Sequence, residues 1–198
     1  MATIEKTDKR ALLMQSAMAL AYGQGFMQTS LADIAKEANV PLGNVYYYFK
    51  TKEEIGEAIV QERLAQIKAF HQKLNQLDSP EKRLCAFIQQ TFENRKMLRR
   101  GGCPIGTLCT ELHKQDGPLA KQSTALFTEL LTWLRTQFEA LDNGSDSQGL
   151  AVHLLSALQG IAVLAHTLND SEIVEMESKR LQGWIGTLTT KTHKRGTA

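Results

Sequence analysis

Two stretches of this 198-residue chain carry side chains in arrangements that could do chemistry. The first is Arg99-Arg100-Gly101-Gly102-Cys103-Pro104-Ile105-Gly106-Thr107-Leu108-Cys109. Proline suits the first turn of a helix, so Pro104 opens one and Cys103 becomes its N-cap. There the helix dipole and unpaired N–H groups favour a negative sulfur, and Arg99 and Arg100 push the same way. That is the setting of a cysteine that reacts with electrophiles or oxidants. The plain alternative is an inert, buried thiol that only starts a helix, since free cysteine is among the most buried residue types.

The second stretch is Ser30 to Lys52, SLADIAKEANVPLGNVYYYFKTK. Ser30 and Asp33 have the spacing of a capping box, and Leu31, Ile34, Ala35 and Ala38 form one apolar helical stripe. Asn39-Val40-Pro41 stops that helix, and Pro41 suits the first turn of the next. In the second helix Val45 and Phe49 face inward, leaving Gly43, Asn44, Tyr46 and Tyr47 on other faces. Successive helical side chains point about 100° apart, so Tyr46, Tyr47 and Tyr48 cannot all be core. Two short helices with an exposed aromatic and amide face are built to lie against something flat and polyanionic.

Other chemistries fit less well. Cys103, Cys109 and His113 could be read as metal ligands, but C-x5-C-x3-H lacks a fourth ligand and matches no common zinc spacing. There is no Ser/His/Asp order, Walker loop or dinucleotide fingerprint. The best enzymatic alternative is a thiol-dependent redox enzyme using Cys103 with Cys109 as resolving thiol. The absence of C-x-x-C beside a βαβ pattern counts against it. No enzyme activity and no cofactor are therefore expected.

The elements that position these residues read as helices throughout. Only four prolines and long apolar stripes at helical spacing point to an all-α fold of about nine helices. A mobile arm over residues 1–7 precedes a helix from about Asp8 to Gln24, capped by Thr7 or Asp8, with Leu13, Ala17, Leu20 and Ala21 buried and Gly25 ending it. Phe26 and Met27 then pack under the two short helices. Thr51-Lys52-Glu53-Glu54 launches a long helix to about Leu77, docked by Ile55, Ala58 and Ile59 at one end and by Ile67, Phe70, Leu74 and Leu77 at the other. Ser79-Pro80 starts a helix that runs on into the basic run Arg95, Lys96, Arg99 and Arg100. A short helix from Pro104 to about His113 and a longer one over Pro118–Leu141 follow, then a loop at Asn143-Gly144-Ser145-Asp146. Leu150 to Leu168 contains no Asp, Glu, Lys or Arg. His153, Ser156, Gln159, His166 and Thr167 are spread around it without basic flanks or an aromatic belt, so it reads as a helix buried on all sides and not as a membrane span. A last helix over about Glu172–Thr190 precedes a polar tail from Lys191.

The order GNVYYYFKTKEEI, preceded by TSLADIAKEANV and the first helix, resembles the helix-turn-helix signature of TetR-family transcriptional regulators. The resemblance implies a three-helix DNA-binding domain over residues 1–52 and an effector-binding and dimerisation domain over 53–198. It implies phosphate contacts from Thr29, Ser30 and Lys52, and base-edge contacts from Leu42, Gly43 and Asn44. Tyr46 and Tyr47 would meet phosphate or a thymine methyl. Ala32 and Tyr48 depart from the family pattern, which more often has a basic or polar residue and a histidine there. The implied partners are double-stranded DNA with a palindromic operator, a small-molecule or electrophile effector, and a second copy of the chain joined through the last two helices. The Cys103 run resembles, over a shorter stretch, members that sense electrophiles or oxidants through a cysteine. The function implied is a repressor released by an effector or by modification of Cys103.

Chain-wide charge adds little: 23 Lys and Arg stand against 21 Asp and Glu, net +2, so DNA binding needs a local basic patch. Three cysteines and no signal peptide predict a reduced, cytoplasmic setting. Residues that interrupt apolar faces form the pool for an effector pocket: Phe92, Cys103, Cys109, Phe127, Trp133, His153, Gln159 and His166. Few buried charges are evident, which suits a small, largely neutral effector. Ser156, Ala157, Gly160, Gly183 and Gly186 would let backbones approach across a helix-pair interface; burial of both helices within one chain is the alternative.

Overall fold

Apolar residues at helical spacing organise nearly the whole chain into helices. The computed structural model describes residues 2–141 and 146–195, with side chains described for 9–141 and 146–188. Among these lie α1 (Ala2–Gln24), α2 (Leu31–Glu37), α3 (Leu42–Tyr48), α4 (Lys52–Leu74), α5 (Pro80–Glu93), α6 (Arg95–Gly101), α7 (Pro104–Gln115), α8 (Pro118–Leu141), α9 (Ser147–Thr167) and α10 (Glu172–Arg195). The fold is all-α. The expected loop at Asn143-Gly144-Ser145 and the side chains of the tail from Lys191 fall outside the described residues.

One compact unit comprises residues up to Ala65 together with Pro104–Leu126. The helix-turn-helix thus shares a unit with α7 and the start of α8, a larger body than residues 1–52. In it α1 begins at Ala2, so neither an arm over residues 1–7 nor a cap at Thr7 or Asp8 is present over the described backbone. Leu13 and Ala17 are buried as expected, and Gly25 ends the helix at φ 92°, a left-handed backbone that glycine adopts without strain. Phe26 is buried, whereas Met27 is exposed rather than packed beneath α2 and α3. Ile34 and Ala35 of α2, Val45 and Phe49 around α3, and Ile55, Ile59 and Val60 of α4 complete this core. Gly56 permits close packing: a Cβ there would stand 2.4 Å from Leu119 and 2.8 Å from Phe26.

The second unit comprises Gln66–Cys103 and the chain from Phe127 on, so the division falls inside α4 and α8. Here α5 packs on α10, α6 on α9, and α9 on α10. Ser79 caps α5 by accepting the Lys82 N–H at 3.2 Å, and Leu84, Phe87 and Ile88 fill its inner face. The expected single helix over residues 80–100 divides at Asn94, which closes α5 and opens α6. α4 ends at Leu74, short of Leu77, and residues 75–77 bond back to His71, Lys73 and Leu74 as a closing turn.

α9 corrects an expectation. By length and composition it could cross a membrane, and 39% of its most apolar window is buried. Only one face is inside: Ala151, Leu154, Leu155, Leu158, Ile161, Ala162 and Ala165. Val152, Val163 and Leu164 are exposed, as are Ser156 and Gly160. An apolar sequence on every side does not reveal which side the rest of the chain covers.

Candidate nucleic-acid interface and effector site

The head is built by short-range bonds. Ser30 Oγ accepts the Asp33 N–H at 3.1 Å, and Asp33 Oδ2 accepts the Ser30 N–H at 2.9 Å and its hydroxyl at 2.6 Å. This closes the capping box at the start of α2. The Ser30 hydroxyl and N–H hold the Asp33 carboxyl below its usual range. Asn39 turns the chain at φ 53°, Pro41 stands just before α3 as its N-cap, and the Pro41 carbonyl accepts the Asn44 N–H at 2.8 Å.

α3 has one wholly buried side, Val45 with its cap Phe49, and this anchoring points the other sides outward. Leu42, Gly43, Tyr46 and Tyr47 are exposed, Tyr47 at 58%, while Asn44 and Tyr48 are half-buried. The Tyr47 and Tyr48 rings meet edge-on at 4.9 Å. A helix that shows two tyrosines, a leucine and a glycine to solvent has an unfilled contact surface.

Two expected phosphate contacts are placed differently. Thr29 is only 2% exposed; its hydroxyl donates to the Gly25 carbonyl at 2.8 Å and its N–H to Phe26 O at 3.1 Å. The Gly25 turn therefore takes Thr29 inward, and Ser30 alone of that pair is outside. Lys52 Nζ donates to the Met27 carbonyl at 2.7 Å and lies 5.1 Å from the centre of the Phe26 ring. It braces the α1–α2 turn. Lys50, overlooked in the sequence, is exposed just past α3, with Nζ on the Tyr46 carbonyl at 2.6 Å. Its signal was position alone: a cation one residue after a buried phenylalanine. Arg10 over the Phe49 ring, 5.4 Å from its centre, and exposed Lys36 add to the local positive charge.

The effector pool does not converge on one place. Cys103 is half-buried, and Gln159 Nε2 donates to its sulfur at 3.5 Å, so these two are brought together. His166 Nδ1 lies 3.0 Å from the Arg99 carbonyl, leaving the ring exposed. Phe92 carries the Arg95 guanidinium 4.4 Å above its ring. His153 is edge-on to Trp184, and Phe127 is half-buried. Cys109 is buried, its thiol directed at the Ser123 carbonyl at 3.5 Å. Cys103 precedes α7 and Cys109 lies within it, both as thiols.

One buried polar centre escaped the sequence reading. His71 is 3% exposed and stacks on Trp133, with Phe87 beside both. Its Nδ1 lies 3.3 Å from Glu129 Oε1, and Trp133 Nε1 donates to Asn75 at 3.0 Å. His71 Nε2 is buried without a hydrogen-bond partner among the described residues. Burial pushes the His71 pKa down, partly offset by the Glu129 hydrogen bond and charge. A lone histidine near the end of an amphipathic helix gives no sign of partners 58 positions away.

Residues 13–59 match the family model described as bacterial regulatory proteins, tetR family. An uncharacterized HTH-type transcriptional regulator of Lactococcus lactis is 27% identical over 161 residues, 79% of this chain and 82% of that protein. The HTH-type transcriptional repressor NemR of Escherichia coli K12 is 34% identical over 90 residues, covering 43% of this chain and 44% of that one. The crystal structure of E. coli NemR in its reduced form superposes with a TM-score of 0.73 at 22% identity, over 88% of this chain and 96% of that one, which shows a shared fold.

Proposed function

We infer that this chain is a DNA-binding transcriptional regulator of the TetR family, and a homodimeric repressor released from a palindromic operator by a small effector or by modification of Cys103. The observation that carries the reading is the outward set Leu42, Gly43, Tyr46 and Tyr47, with half-buried Asn44 beside them, held in place by buried Val45 and Phe49. In this reading the N-terminal end of α3 enters a major groove, where Asn44 is suited to a paired contact with adenine. Ser30 and Lys50 supply phosphate contacts. Lys52 serves by bracing the α1–α2 turn that carries Ser30.

The second copy is seated on α9 and α10. Val152, Ser156, Gly160, Val163 and Leu164 recur at helical spacing on the exposed face of α9, and Met176 and Gly183 do so on α10. A Cβ added at Gly160 or Gly183 would meet no described atom within 4 Å. Such a strip is apolar, and its two glycines let another pair of helices come close. Two heads then read half-sites about 34–36 Å apart, or a multiple.

The sensing part of the proposal rests on Cys103, half-buried after Gly102 and touched by Gln159. The test is retardation of DNA from upstream of the protein's own gene, with and without N-ethylmaleimide. Sequence-specific retardation that the reagent abolishes in wild type but not in Cys103→Ser supports the whole reading. Retardation that persists in both leaves a regulator with another effector. No specific retardation sinks operator binding itself.

A further inference from the structure

We propose that Glu111 of α7 is a positioning residue that latches the α1–α2 turn of the DNA-binding head and makes α7 a lever on DNA affinity. The inference rests on the regulator reading above and concerns how its head is set. Glu111 Oε2 accepts the Met27 N–H at 3.1 Å, across 84 positions of sequence. Its Oε1 lies against Gly25, where an added Cβ would stand only 2.7 Å away. From the other side Lys52 Nζ holds the Met27 carbonyl at 2.7 Å. The Met27 backbone is thus held at its N–H by a carboxylate and at its carbonyl by an ammonium.

Packing holds the turn at Phe26 but not at Met27. The Met27 side chain is exposed, and the turn borders a cleft of about 420 Å³ lined by Phe26, Met27, Lys52, Leu112 and Leu119 among others. With open space beside it, the Met27 backbone is held by its hydrogen bonds, and charge-assisted ones are the stronger kind. The same turn sets Thr29, bonded to the Gly25 carbonyl at 2.8 Å, and through it Ser30, the cap of α2. A shift of α7 therefore reaches α2 through three consecutive contacts inside one compact unit.

α7 is placed to receive a signal. Its first residue, Pro104, directly follows Cys103, and Glu111 is two helical turns further along the same rigid rod. A change at Cys103 that moves or frays the start of α7 displaces the Glu111 carboxylate, frees the Met27 peptide and leaves the head less ordered. DNA must then order it on binding, which weakens affinity.

The test compares Glu111→Ala and Glu111→Gln with wild type by circular dichroism, amide exchange at Met27, and operator affinity on the DNA fragment that wild type retards. Glu111→Gln keeps an acceptor oxygen and should stay within about threefold of wild type. Glu111→Ala should keep its helix content, exchange the Met27 amide at least about tenfold faster and bind operator about 5–20-fold more weakly. Unchanged operator affinity in Glu111→Ala, with or without faster exchange, overturns the proposal. If wild type retards no DNA, the regulator reading falls instead, and the latch stands or falls by the Met27 exchange rate alone.

Discussion

The His71 imidazole lies flat on the Trp133 indole, ring centroids 4.6 Å apart and planes 10° from parallel, with its Nε2 buried and unbonded among the described residues. A histidine so placed resists protonation, because the cation would lose its hydration and gain only the Glu129 carboxylate on its other nitrogen. Burial lowers its pKa from the ordinary 6.5. As pH falls through 6.5 the unfolded chain takes up a proton that the native His71 refuses, so stability declines until the lowered native pKa is also passed. The carboxyls of Asp33, Asp78 and Glu175 are also held low by their partners, but their stabilisation is lost only in the carboxylate range below it. Denaturant melts at pH 7.5 and 5.5 should therefore show wild type losing stability, and His71→Phe, which keeps a ring against Trp133, losing clearly less. Equal losses would mean that His71 does not govern this window.

Lys52 and Asn44 separate bracing from reading. Lys52→Ala removes the bond to the Met27 carbonyl and the cation over Phe26, and should cost about 1–2 kcal/mol of stability. Its salt dependence of DNA binding should change less than that of Lys50→Ala, whose ammonium is exposed beside α3. Thermal melts and binding across a salt series measure both. A normal melting temperature with a flattened salt slope in Lys52→Ala would return Lys52 to the phosphate.

Asn44→Ala should relax discrimination at a single base pair by about 1–3 kcal/mol while leaving nonspecific affinity in place. Asn44 is half-buried and its backbone N–H is tied to Pro41, so the substitution does not disturb the start of α3. Binding measured against a set of single-base operator variants decides the matter. A uniform loss across the set would move Asn44 from base reading to support.

What was legible in the sequence was local. Ser30 and Asp33 are one turn apart, so their capping box could be written down from spacing, and Val45 and Phe49 faced inward by the same arithmetic. Thr29 and Ser30 are adjacent and both polar, and only the left-handed turn at Gly25 decides which is buried. The Met27–Glu111 and His71–Glu129 pairs join residues 84 and 58 positions apart, and nothing in either neighbourhood announces the other. Asn94 was hidden differently: the apolar register continues across it, while its backbone leaves the helix at φ −86°, ψ 9°. α9 was misjudged because periodicity reports which residues are apolar, not which face this chain leaves for another.

That uncovered face yields the last prediction. Val163 is 61% exposed on α9, in register with Val152, Ser156 and Gly160, and it makes no part of the core formed by Leu158, Ile161 and Ala162. Val163→Glu should leave the fold of each chain and its melting profile at low concentration nearly unchanged, because the substitution lies on an outer surface. In a dimer the same carboxylate would be buried against an apolar partner, a cost several times larger than the loss of one valine contact. Sedimentation should therefore find wild type dimeric and Val163→Glu monomeric. Operator affinity should fall about 10²–10⁴-fold, since one head no longer raises the effective concentration of the other, while affinity for an isolated half-site stays put. A variant that remains dimeric would place the interface elsewhere, and one that turns monomeric with full operator affinity would show that a single head suffices.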